Sequence, residues 1–125
     1  MSMTIEHLKK VRELIADVGW CQKSYRLQDH KDGVEAYCLS GACIQAAGYR
    51  FYNQPQYLTV PLAEAIEDRY RAYRVKDMKS DDEYRSQYDN VVIAFNDEDG
   101  RTCEEVLEMV DHAIVLLKER WDVTA

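Results

Sequence analysis

Proline and glycine are scarce in this chain, 2 and 5 among 125 residues. With 46% hydrophobic and 31% charged side chains, a composition so poor in breakers excludes collagen-like, low-complexity and disordered classes. Long apolar runs are missing too. The longest, Val91-Val92-Ile93-Ala94-Phe95, is far short of the roughly 20 residues that cross a bilayer. The N-terminus Met1-Ser2-Met3-Thr4-Ile5-Glu6 has neither a charged n-region nor an apolar h-region. The expectation is therefore a soluble, cytoplasmic protein without membrane association. Positive charge is in deficit: 16 Lys and Arg oppose 23 Asp and Glu, a net charge of −7 that repels a phosphate backbone and argues against nucleic acid as a partner. A chain of this size hides about two thirds of its unfolded surface on folding, enough for one core, so residues 1–125 read as a single domain.

Paired metal-ligand spacings are also lacking. Cys38 and Cys43 are five apart, and His7, His30 and His112 are isolated from one another, so neither C-x-x-C nor H-x-x-x-H occurs. No metal and no cofactor is expected. Cys21, Cys38, Cys43 and Cys103 would allow two bridges by count, but without a secretory signal all four read as reduced thiols.

What is present is helical periodicity. Ile5, Leu8, Val11, Ile15 and Val18 recur at steps of three and four, predicting an amphipathic helix over 4–18 that Gly19 ends. Residues 20–33 are polar and irregular and close on the turn-like Asp29-His30-Lys31-Asp32-Gly33, which predicts a loop. A second helix over about 34–47, closed by Gly48, carries the small residues Cys38, Gly41, Ala42, Ala46 and Ala47 and should be the central one, packed by the first and last helices. Tyr49 to Tyr57 reads as a loop, and Thr59 and Pro61 as the start of a third helix over 60–75 with Leu62, Ala65, Ile66, Tyr70 and Tyr73 inward. Ser80-Asp81-Asp82-Glu83 has the form of a capping box ahead of Tyr84, Tyr88, Val91, Val92 and Phe95; a short strand is the alternative there, and the period favours helix. A last helix starts at a second capping box, Thr102 with Glu105, and runs to about Trp121 with Val106, Val110, Ala113, Leu117 and Trp121 inward. The fold class is thus all-α, a single compact bundle of about five helices.

Three segments carry a further pattern: Gly19-Trp20-Cys21-Gln22, Tyr37-Cys38-Leu39-Ser40-Gly41-Ala42, and Phe95-Asn96-Asp97-Glu98-Asp99-Gly100-Arg101-Thr102-Cys103-Glu104-Glu105-Val106-Leu107. Their order resembles a family of small uncharacterised bacterial and phage proteins with W-x-Q, C-L-x-G-A and [WF]-N-D-x-x-G-R-T-x-x-E-V-L motifs. Phe95 stands where that family often has Trp. The resemblance implies a helical intracellular domain and brings no established activity.

Read physically, the last segment is a helix-turn-helix staple. Asn96 ends one helix, Gly100 takes positive φ, Thr102 and Glu105 cap the next, and Arg101 reaches Asp97 or helix carbonyls. Together with Trp20 and Gln22, the residues Asn96, Asp97 and Arg101 form the candidate binding set. A calcium loop fails, because with Gly100 at the sixth position Phe95 and Val106 fall where Asp and Glu are required. A thiol-dependent hydrolase or transferase is the enzymatic alternative, with Cys38 as nucleophile, Gln22 as amide donor and Asn96 or Asp97 as orienter, although no base is evident.

Charge gives the leading expectation. Residues 63–125 hold 17 acidic against 9 basic side chains, densest in Asp97, Glu98, Asp99, Glu104, Glu105, Glu108 and Asp111. This acidic half suggests a regulatory or binding module that takes a basic protein partner, with acids favourable at a helix start as the plainer reading. The interleaved Arg69, Tyr70, Arg71, Tyr73, Arg74, Lys76 and Lys79 make only a weak basic patch.

Overall fold

The computed structural model describes residues 2–24, 26–29, 34–48, 54–78 and 86–124. Among them five α-helices occur: α1 (Ser2–Glu13), α2 (Leu39–Ala47), α3 (Gln56–Arg69), α4 (Gln87–Asp97) and α5 (Cys103–Thr124). The expected all-α bundle is the architecture found, with one short hairpin between α1 and α2. Apolar faces of all five helices meet in one core that includes Leu8, Leu39, Leu62, Ile66, Phe95 and Val110.

The first helix follows its predicted stripe through Ile15 and then departs from it. Leu14–Val18 form a π-helical stretch, closed by the Gly19 N–H on the Leu14 carbonyl at 3.1 Å. The wider turn rotates Val18 off the inward face, leaving it 44% exposed where a straight α-helix would have buried it.

Two predicted boundaries are corrected next. Within the expected loop, β1 (Arg26–Asp29) pairs antiparallel with β2 (Val34–Tyr37), with Arg26 opposite Tyr37 and Asp29 opposite Val34. The second helix therefore starts at Leu39, with Cys38 as its N-cap. Four residues are too few for periodicity to separate strand from helix, and long-range pairing on both edges of β2 decides the matter. On its other edge Trp20 bridges Tyr37 in parallel. Nearly every residue of α2 is buried, as its small side chains predict, but it packs chiefly on α1 and α4 rather than on the last helix.

Helix α3 begins at Gln56 behind Pro55 rather than at Thr59 and Pro61, so Pro61 lies inside it and has no N–H to give the Tyr57 carbonyl. Its chain leaves the helix at Tyr70, turns, and forms a short 3₁₀ stretch over Val75–Asp77. Helix α4 is capped by Ser86 and Asp89, whose side chains each accept the other's backbone N–H. The Ser80–Glu83 box, Tyr84, the 30–33 turn, residues 49–53 and the Trp121 side chain lie outside the described residues. Among the described residues no helix is long and apolar enough to cross a membrane.

Candidate functional site

Gly19 sets the site's geometry. Its φ is +152°, and a Cβ there would stand 2.5 Å from the Glu35 carbonyl oxygen, so only glycine lets this segment pass so close to β2. The Tyr37 N–H then donates to Gly19 O at 2.9 Å and the Cys21 N–H to Tyr37 O at 3.1 Å. Trp20 is thereby aimed at the C-terminal end of α4.

There Asn96, 1% exposed, joins three segments of the chain. Its Oδ1 accepts the Trp20 indole N–H at 2.7 Å and the Leu39 backbone N–H at 3.0 Å. Its Nδ2 donates to Cys21 O at 3.1 Å and to Asp97 Oδ1 at 3.0 Å. Both lone pairs and both N–H groups of the amide are used, the full capacity of an asparagine. Gln22 Nε2 donates to the carbonyls of Asn96 (3.0 Å) and Glu98 (2.9 Å), serving acceptors that the end of a helix leaves open. Lys23, at φ 65°, gives its backbone N–H to Asp97 Oδ1 at 2.8 Å. Trp20, Gln22, Asn96 and Asp97 do converge, and they converge on one another.

Arg101 completes the same end of the bundle from the opposite side. Its side chain is 8% exposed, with the guanidinium carbon 3.9 Å from the Phe95 ring centroid and 5.0 Å from that of Tyr70. It donates to Phe95 O at 2.9 Å, Tyr73 Oη at 3.1 Å and Glu105 Oε2 at 3.4 Å, so its acid partner is Glu105 and its helix carbonyl is that of Phe95. Gly100 takes φ +84°, and the capping box closes through Thr102 N–H to Glu105 Oε1 at 2.9 Å and Glu105 N–H to Thr102 Oγ1 at 3.2 Å. The Thr102 backbone N–H, helped by Arg101, holds the Glu105 carboxyl below the usual carboxylate range. Burial, with a hydrogen bond to Glu98, pushes the Tyr73 hydroxyl up against the opposing pull of Arg101.

Cys38 sits at the edge of this cluster. Its Sγ accepts the Gly41 N–H at 3.2 Å, the place where a helix start favours a thiolate, yet the residue is only 6% exposed. Burial outweighs the helix and raises the thiol to about 12. Gln22 and Asn96 spend their donors elsewhere. Of the histidines, His7 meets Tyr57, and His112 Nε2 lies 2.7 Å from Asp68; His30 is outside the described residues. Cys21, expected in an open loop, is buried with Ala36 and Cys38. Among the described residues no group of three or more His, Cys, Asp or Glu is placed to hold a metal ion.

The acidic cluster is partly consumed by the fold. Asp97 and Glu105 are engaged as above, Asp99 pairs with Lys23 at 3.6 Å and Asp111 with Arg12 at 2.8 Å. Asp89 was not anticipated. It is fully buried, with Oδ2 accepting from Ser86 N at 2.8 Å and Gln56 Nε2 at 2.9 Å while Oδ1 has no partner among the described residues. The signal was available in Ser86-Gln87-Tyr88-Asp89, a capping pattern directly before an apolar run.

These features define a small helical bundle with a hairpin, locked at one end by an asparagine-centred hydrogen-bond cluster and a stacked arginine. The chain belongs to a family of unknown function (DUF6197), whose model matches residues 1–116. That range takes in all three motif segments. No curated protein and no solved structure matches the chain.

Proposed function

We propose that the protein is a non-catalytic binding module that takes a basic protein partner on the outer stripe of α5. The observation that carries this reading is the run Glu104, Glu108, Asp111 and Val115. All four are exposed at steps of four, three and four, and therefore share one face of the helix. Glu104 and Glu108 have no hydrogen bond or ion pair among the described residues, and Val115, 47% exposed, gives the stripe an apolar contact. Acids that cap a helix or close an ion pair are structural; these two are not. A thiol-dependent reaction at Cys38 with Gln22 and Asp97 draws no support from a buried, protonated sulfur.

Capture from lysate at low salt with wild-type protein and with the Glu104→Lys/Glu108→Lys variant tests the module. The expected result is a basic protein retained by the wild type and bound about tenfold more weakly by the variant. Helical circular dichroism should be unchanged. Equal retention by both, or no protein recovered by the wild type, overturns the reading.

A further inference from the structure

Of the arginines among the described residues, Arg12, Arg26, Arg69, Arg101 and Arg120 each engage an acid, a carbonyl or His112. Arg71 and Arg74 have no hydrogen bond or ion pair among the described residues, in a chain with a surplus of acids. They are also neighbours in space. Together with Lys76, Glu67, Val75 and Gln87 they line a groove of about 560 Å³, within the usual size range of small-molecule sites.

The groove is built rather than incidental. After α3 ends, Tyr70 and Tyr73 turn inward to pack on Phe95 and around Arg101, which forces Arg71 and Arg74 outward. Glu67 Oε2 then accepts the Val75 N–H at 2.7 Å, and the Asp77 N–H closes on Arg74 O at 3.0 Å. The 74–77 end of the segment is thereby fixed to α3, and Glu67, the one carboxylate lining the groove among the described residues, already accepts a backbone donor. Among the described lining residues three cations face one acid, with the half-buried Val75 and the Gln87 amide beside them.

We propose that this groove binds a small molecule bearing a diphosphate. The forked donors of Arg71 and Arg74 and the ammonium of Lys76 would take the phosphate oxygens. This site is separate from the α5 stripe, and its test is independent of that reading.

The experiment is calorimetric titration of the full-length protein with inorganic pyrophosphate and with ADP, adenosine serving as the uncharged control. Three proteins are compared: wild type, Arg71→Ala/Arg74→Ala, and Lys118→Ala/Arg120→Ala, which removes equal charge elsewhere. Both substituted groove arginines are exposed and have no partner among the described residues, so the first variant should fold normally. Expected is saturable binding of at least one diphosphate probe, weakened about tenfold or more by the groove variant and little changed by the other, with none for adenosine. Binding of neither probe, equal loss in both variants, or an affinity for adenosine matching that for ADP overturns the proposal.

Discussion

The indole N–H of Trp20 ends on the side-chain oxygen of Asn96, 2.7 Å away and 76 positions later in the chain. The contact ties the segment that bridges the outer edge of β2 to the end of α4, and the same oxygen also holds the first N–H of α2. An amide enclosed this completely is stable only because each of its donors and acceptors is paired, and the pairing specifies how three segments meet.

Removing Asn96 should therefore cost more than the loss of a single hydrogen bond. Asn96→Ala leaves the Leu39 N–H, the Trp20 indole and the Cys21 carbonyl without their partner, at a cost of about 3 to 5 kcal/mol. Trp20→Phe, which loses one bond, should cost about 1 to 2 kcal/mol. In urea denaturation the double variant should be less destabilised than the sum of the two. Strict additivity would mean that Asn96 is not the hub of a network.

Arg101 is a second point where chemistry, not charge, is selected. Lysine would keep the charge but lose the planar stack on Phe95 and two of the three forked bonds, so Arg101→Lys should cost about 1 to 3 kcal/mol. Because the guanidinium is enclosed, thermal melts at low and high salt should show the same loss. A loss that disappears in salt would make Arg101 an ordinary surface ion pair.

The local signals in the sequence were readable because they are local. Thr102 and Glu105 announce a capping box within one turn, and Val106, Val110 and Ala113 repeat over enough residues to fix the inner face of α5. The hairpin was not readable: Val34–Tyr37 is a strand because it pairs with Arg26–Asp29 and with Trp20, and neither partner is visible to a period of four residues. Val18 was misplaced by a single π-helical turn, which leaves no mark in apolar spacing. For the site, Arg101 engages Phe95, Tyr73 and Glu105 apart from the other candidates, whereas Trp20, Gln22, Asn96 and Asp97 meet at the end of α4. What the sequence could not reveal is that their polar atoms are directed at one another.

Glycine substitutions should separate two kinds of backbone constraint. Gly19→Ala places a methyl against the Glu35 carbonyl oxygen and keeps a positive φ, so it should cost about 2 to 4 kcal/mol. Gly48→Ala meets open space at the left-handed end of α2 and should cost only about 1 to 2 kcal/mol. Comparable denaturation midpoints for the two variants would remove the argument for close approach at Gly19.

Cysteine chemistry gives a prediction with a pH sign. Burial raises the Cys38 thiol from an ordinary 9.0 in the unfolded chain to about 12 in the folded protein. Between those values the unfolded chain has lost the proton and the native state retains it. The contribution to stability is therefore fully present below pH 9 and falls as pH rises toward 12. Cys38→Ala should flatten the decline in unfolding free energy over that window relative to wild type, even if it lowers stability at pH 7. In native protein at neutral pH, iodoacetamide should modify Cys103 first, since it is the most accessible of the four thiols, although burial and Glu104 raise its pKa too. Cys21, Cys38 and Cys43 should react only on denaturation. Rapid, selective alkylation of Cys38 in the folded state, or an alkaline stability slope identical in Cys38→Ala, would mean that its sulfur is neither enclosed nor held protonated, and would reopen the thiol-dependent alternative.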